Sequence, residues 1–142
     1  MHTGPKGGQL VNDYAHHPAE IRAVLDAARR RFPGKRLLVV FQPHQHQRTL
    51  NLLAEFAEAL ALADTAVVAD IYGARESEEL KAAVSAQSLV DAVRECGGRA
   101  EAGGAVAGLP QAVERHLGHH DVVMLLGAGD IDRALGGIVE RL

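Results

Sequence analysis

Leu37-Leu-Val-Val-Phe41 runs directly into Gln42-Pro-His-Gln-His-Gln-Arg-Thr49. Five consecutive apolar residues have the length of a strand and fall far short of a membrane span. The run does not alternate with polar residues, so a strand built from it must be covered on both faces. That is the signature of a parallel sheet between two helical layers. The polar stretch that follows then leaves the strand at its carboxyl end, where open sheets of this kind bind ligands.

Working outward, the pattern repeats. Ala66-Val-Val-Ala-Asp-Ile71 and Val122-Val-Met-Leu-Leu126 read as further buried strands, Gln9-Leu-Val-Asn12 as a short one, and Arg99 to Ala102 as another. Helical stripes lie between them. After Pro18, suited to a first helical turn, Ile21, Val24, Leu25, Ala28 and Phe32 share one face until Pro33-Gly34. Leu50, Leu53, Ala57 and Leu60 form a second stripe, with Thr49 as its expected cap. Leu89, Val93 and Cys96 form a third, with Ser88 and Asp91 as a capping box and Gly97-Gly98 as its stop. Leu109, Val113 and Leu117 mark a short helix, and Ile131, Leu135, Ile138 and Leu142 the last, with Asp130 as cap. The polar segment 73–83 reads as an exposed loop or short helical turn. Strand and helix alternate about five times. The expected fold is therefore α/β, an open and mainly parallel sheet with helices on both faces.

Composition agrees. The chain has 142 residues, 47% hydrophobic and 23% charged, which fits one globular domain. A flexible, glycine-rich segment is expected over 1–8 and the folded domain over 9–142. With no Trp, three Phe and two Tyr, the core must be aliphatic. A net charge of -3 does not suggest a nucleic-acid surface. One cysteine excludes an internal disulfide and a cysteine-based zinc cage. No membrane span or secretory signal is visible, so the expectation is a cytoplasmic protein.

The chemistry gathers after the strands: Asn12 to Pro18, Gln42 to Thr49, Asp70 to Gly73, and Gly127 to Asp130. Asp13, His44, Tyr72 and Gly127 are all expected near the carboxyl edge. Six of eight histidines fall in three pairs. His16-His17 and His44-x-His46 offer imidazoles and Asp13 a carboxylate. Neighbouring histidines on an extended segment point apart, however, and the spacing matches no zinc signature, so no metal site is expected. His119-His120 precede the last strand and are expected to face solvent. Gly127-x-Gly129 lacks the third glycine of a dinucleotide fingerprint, with Asp132 in its place, and reads as a tight turn. There is no phosphate loop and no G-x-S-x-G elbow. Arg48 near a helix start opposes the helix dipole, and its guanidinium is suited to grip a carboxylate or phosphate.

Asn12-Asp-Tyr-Ala-His-His-Pro18-Ala-Glu-Ile21, Phe41-Gln-Pro-His44 with Arg48-Thr49, Asp70-Ile-Tyr72 and Leu126-Gly-Ala-Gly-Asp-Ile131 occur in this order. Together they resemble the C-terminal domain of the Mur ligases, most of all the members that join L-alanine to UDP-N-acetylmuramate. The resemblance runs from about Gly8 to Leu142. It implies a Rossmann-like third domain that closes over an ATPase domain and, with a UDP-binding domain, completes an ATP- and Mg2+-dependent amide ligase. On this chain it implies that Asp13 contacts the ATP ribose. Tyr14, His16, His44 and His46 would line the alanine pocket. Arg48 and His16 would act at the reacting centre, Arg48 on the alanine carboxylate or the transferring charge. The two preceding domains are expected to lie outside this chain, which alone should be inactive. Many members have Arg-Tyr where this chain has Gln45-His46. Alternative readings are a free-standing nucleotide or small-molecule binding module, and the third domain of a murein-peptide recycling ligase, where Phe is usual in place of Tyr14. A histidine-metal hydrolase is a third.

Overall fold

The computed structural model describes residues 1–118 and 121–142; the expectation for His119-His120 lies outside the described residues. The elements run β1 (His2–Thr3), β2 (Gln9–Asp13), α1 (Pro18–Arg31), β3 (Leu37–Phe41), α2 (His46–Asn51), α3 (Leu53–Leu60) and β4 (Thr65–Ala69). They continue with α4 (Glu78–Ala83), α5 (Ala86–Glu95), β5 (Ala100–Gly104), α6 (Leu109–Glu114), β6 (Val122–Leu126) and α7 (Leu135–Arg141). The sheet order is β1-β2-β6-β3-β4-β5, and all pairings are parallel except β1 with β2.

The unbroken apolar runs sit at the centre. All five residues of β3 are fully buried. Alternation along each strand divides them between two cores. Leu37, Val39 and Phe41 join Val122, Met124 and Leu126 under α1, α3 and α5. Leu38, Val40, Val123 and Leu125 pack with α6 and α7 on the other face. Each large aliphatic side chain so buried contributes about 1.5–3 kcal/mol. The last strand, β6, returns to lie between β2 and β3, so the connections after β2, β3 and β4 are packed on one face and those after β5 and β6 on the other.

Local details depart from the sequence expectations. The first eight residues are tied down. β1 pairs with β2, and the N–H groups of Lys6 and Gly8 both donate to the Leu142 carbonyl at 3.0 Å. A Cβ on Gly4 would collide with the Leu142 backbone, so glycine here permits a close approach. The helix after β3 starts at His46. Thr49 lies inside it, its Oγ1 donating to the Gln45 carbonyl at 2.8 Å. Ser85, not Ser88, caps α5, and the two serines form the box that Ser88 and Asp91 were expected to make. Asp130 does not cap the 3-10 turn Ile131–Ala134; its carboxylate accepts from Gln42 Nε2 at 2.7 Å. Each cap is set by a neighbour the local pattern does not show.

Candidate functional site

Register brings the strand ends level. Asp13 and Phe41 both pair with Leu126. The Gly127 N–H then donates to the Asp13 carbonyl at 3.3 Å and the Gln42 N–H to the Leu126 carbonyl at 3.1 Å. A bridge between His44 and Tyr72 extends the β3–β4 pairing past the strands. Asp13, His44, Tyr72 and Gly127 thus share the carboxyl edge.

Four rings form a chain there. Tyr14 meets His16 edge-on at 5.7 Å between centroids, His16 meets His44 at 6.3 Å, and His44 stacks on Tyr72 at 5.3 Å. Tyr14 is 69% exposed. His16 Nδ1 lies 3.0 Å from the Tyr14 carbonyl. A carbonyl acceptor there calls for a proton on Nδ1. His17 instead serves the scaffold. It is the N-cap of α1 and accepts the Ala19 N–H, while Glu20 takes the N–H groups of His16 and His17 at 3.3 and 3.0 Å. The adjacent histidines are therefore divided between site and helix start.

His44 Nδ1 is buried without a hydrogen-bond partner. Burial holds the His44 pKa below its usual value, Arg48 and His16 push it further down, and Glu76 opposes them. Arg48 itself is half-buried and makes no ion pair among the described residues. With Gln45, Gln47, Asn51 and Leu52 it lines an open cavity of about 470 Å3. Gln45, just before α2, has φ 75°, a conformation rare for a residue with a side chain. His46 is engaged by Glu76, with Nδ1 2.8 Å from Oε1. Asp13 is exposed; one of its oxygens accepts the Ala15 N–H at 2.9 Å, which leaves the other available.

A cleft of about 590 Å3 opens between the two sets of connections, lined among others by Gln42, Asp70, Tyr72, Asp130 and Arg133. Gln42, 3% exposed, holds one wall: its Oε1 accepts the Ile131 N–H at 3.1 Å. A Cβ on Gly129 would lie 2.5 Å from Gln42 Oε1 and 2.9 Å from the Tyr72 ring. The Gly127-x-Gly129 spacing therefore serves close packing of the turn against β3 and Tyr72. Gln42 and Glu76 escaped the sequence reading because each acts on a segment tens of residues away. Among the described residues, no three His, Cys, Asp or Glu side chains are grouped to hold a metal ion, and no helix is long and apolar enough to cross a membrane.

A family model described as "Mur ligase, glutamate ligase domain" matches residues 1–129. The chain belongs to the Mur ligase C-terminal domain family. The UDP-N-acetylmuramate–L-alanine ligase of Sorangium cellulosum (strain So ce56) is 45% identical over 144 aligned positions, covering 99% of this chain and 30% of that protein. The enzyme of the same name from Salinibacter ruber (strain DSM 13855 / M31) is 43% identical, covering 98% of this chain and 29% of its own length. The solved UDP-N-acetylmuramate–alanine ligase of Thermotoga maritima aligns with a TM-score of 0.71 and 29% identity over 99% of this chain and 28% of that one. The chain therefore spans under a third of the length of these three relatives.

Proposed function

We propose that this domain is the amino-acid- and ATP-ribose-contacting part of a cytoplasmic, ATP-dependent ligase that joins L-alanine to UDP-N-acetylmuramate in the making of peptidoglycan precursors. The observation that carries the reading is the Arg48 guanidinium, without an ion-pair partner among the described residues and close enough to act on His44, the third ring of a chain reaching exposed Tyr14. A half-buried cation without an ion-pair partner fits an anionic ligand, and the α-carboxylate of an amino acid matches its fork. The relatives' name supplies the amino acid.

In this reaction the muramoyl carboxylate takes the γ-phosphoryl group of ATP and ADP leaves. The alanine amine then attacks the acyl carbon, an amide bond forms, phosphate leaves and the amine gives up a proton. ATP and Mg2+ would be held mainly by the preceding domains, and the Mg2+ would offset phosphate charge. Here Arg48 grips the carboxylate and steadies the developing charge, and Tyr14, His16, His44 and His46 line the pocket. The free Asp13 oxygen accepts from the ribose. The contribution is positioning and electrostatics, with no covalent intermediate on this chain.

The test is steady-state phosphate release by the full-length ligase that carries this domain, with UDP-N-acetylmuramate and either L-alanine or a murein peptide. Turnover with alanine, and none by the domain alone, is expected. Preference for the peptide, or ATP hydrolysis by the domain alone that Asp13→Ala abolishes, overturns the reading.

A further inference from the structure

Arg48 stands on the third residue of a six-residue helix with no side-chain cap of its own. Such a helix is too short to hold its place by its own hydrogen bonds. What holds it is Glu76, about 30 residues on. Glu76 Oε1 accepts the His46 N–H at 2.7 Å and lies 2.8 Å from His46 Nδ1, while Oε2 accepts the Gln47 N–H at 3.0 Å. The carboxylate thus satisfies the first two N–H groups of α2 and a ring nitrogen at once. Its side chain is only 6% exposed. Burial alone would raise its pKa, but the backbone donations from His46 and Gln47 and the His46 ring outweigh this and hold it below the usual range, so it stays ionised.

A second observation comes from the opposite side of the pair. A Cβ on Gly73 would lie 2.5 Å from His46 Nδ1 and 2.7 Å from Glu76 Oε1. Gly73 leaves room for this pair, which a side chain there would push aside. Arg75, just before Glu76, takes φ 63°. The Gln45 N–H donating to the Tyr72 carbonyl at 2.6 Å completes the clamp.

We propose that Glu76, seated through His46 and given room by Gly73, is the positioning residue for Arg48: it fixes α2 against the segment after β4 and so aims the guanidinium at the incoming amino acid. The inference rests on the reading of Arg48 given above. Glu76 touches neither substrate nor reacting atoms and acts only through α2.

The experiment is steady-state kinetics of the full-length ligase with alanine and ATP varied separately. Glu76→Gln keeps the size and one acceptor oxygen, but turns an N–H group toward a donor. It should raise KM for alanine about tenfold and leave KM for ATP within twofold. Gly73→Ala, on the other side of the pair, should give the same split. In an Arg48→Ala background, adding Glu76→Gln should change alanine KM by less than twofold, because the residue it aims is gone. A melting temperature lowered with alanine KM unchanged makes Glu76 a scaffold residue only and overturns the proposal. So does an effect of Glu76→Gln that is as large with Arg48 absent as with it present. A wild-type enzyme that does not use alanine instead defeats the reading of the site, which separates the two failures.

Discussion

The two edges of the sheet place charge differently. At the amino edge, two carboxylates close the starts of strands. Asp64, before β4, accepts the Leu37 N–H at 2.7 Å and Arg29 Nη1 at 3.0 Å; Arg29 also donates to the carbonyls of Lys35 and Leu62. Asp121, before β6, accepts the Arg36 N–H at 2.8 Å. At the carboxyl edge Arg48 has no ion-pair partner among the described residues, His44 Nδ1 has no hydrogen bond, and Asp13 keeps a free oxygen. Paired charges close strand starts; a buried polar atom left unpaired costs stability, and the proposed function gives these groups a ligand. If that contrast is right, mutations at one edge should move stability and at the other should move substrate use.

The largest effect is expected at Arg48. A charge-assisted bond to a carboxylate contributes roughly 1.5–3 kcal/mol. At about 1.4 kcal/mol per decade, Arg48→Ala in the full-length ligase should weaken alanine use about 10- to 100-fold. ATP affinity should change little, because the proposed function gives the ribose to Asp13 and not to Arg48. Kinetics with each substrate varied separately checks this, and equal losses for both would make Arg48 an interdomain or structural residue.

Asp64→Ala is the counterpart at the other edge. It strips the Leu37 N–H, at the start of the central strand, of its acceptor and leaves Arg29 without its carboxylate. A cost of about 1–3 kcal/mol is expected, a fall in melting temperature of roughly 2–4 °C per kcal/mol for a chain of this size. Alanine KM should stay within twofold. A kinetic effect larger than the thermal one would dissolve the distinction between edges.

How much of this contrast was legible beforehand depends on sequence distance. The β3 run, its two-faced burial, Pro18 at the start of α1 and the gathering of Asp13, His44, Tyr72 and Gly127 at one edge all follow from contiguous patterns. The clamp of Glu76 on α2 does not, because a carboxylate in a polar loop looks the same whether it meets water or an amide 30 residues away. The contacts of the N-terminal segment were hidden for the same reason: Gly4 and Gly8 approach Leu142, at the other end of the chain. Capping by Ser85 rather than Ser88 is a three-residue boundary shift of the kind local patterns cannot resolve.

Acidification should also tell the edges apart. His44 is held below its ordinary value of 6.5, so the unfolded chain binds the proton first. Its contribution to stability is complete above about pH 6.5 and is lost as pH falls through the folded value. Asp121, held below 3.8 chiefly by the Arg36 N–H, keeps its contribution until pH drops under that value. The carboxyl edge should therefore weaken first. Melting temperature followed from pH 8 downward should begin to fall near 6.5, and His44→Gln should flatten that first decline. A decline that His44→Gln leaves unchanged would assign it to another group.

The smallest effect is expected at Gln45, where the edges differ in backbone rather than charge. The amino edge places glycine where φ is positive, at Gly34 (76°) and Gly97 (84°). The carboxyl edge also holds Gln45 at φ 75°, pinned by its N–H to Tyr72 and by its carbonyl, which accepts both the N–H and the Oγ1 of Thr49. A residue with a side chain held so costs about 1–3 kcal/mol, and glycine there would recover most of that, less about 0.5–1 kcal/mol of added chain freedom. Gln45→Gly should raise the melting temperature by roughly 1–4 °C. Gly34→Ala should lower it by a similar amount, since a Cβ there meets nothing within 4 Å and only φ objects. If the strain at Gln45 is kept for the site, the stabler variant should use alanine less well, because its side chain lines the Arg48 cavity. Thermal melts and alanine kinetics on the same preparation decide it: a Gln45→Gly enzyme that melts lower would mean the three backbone bonds, not the absence of a Cβ, make that conformation comfortable.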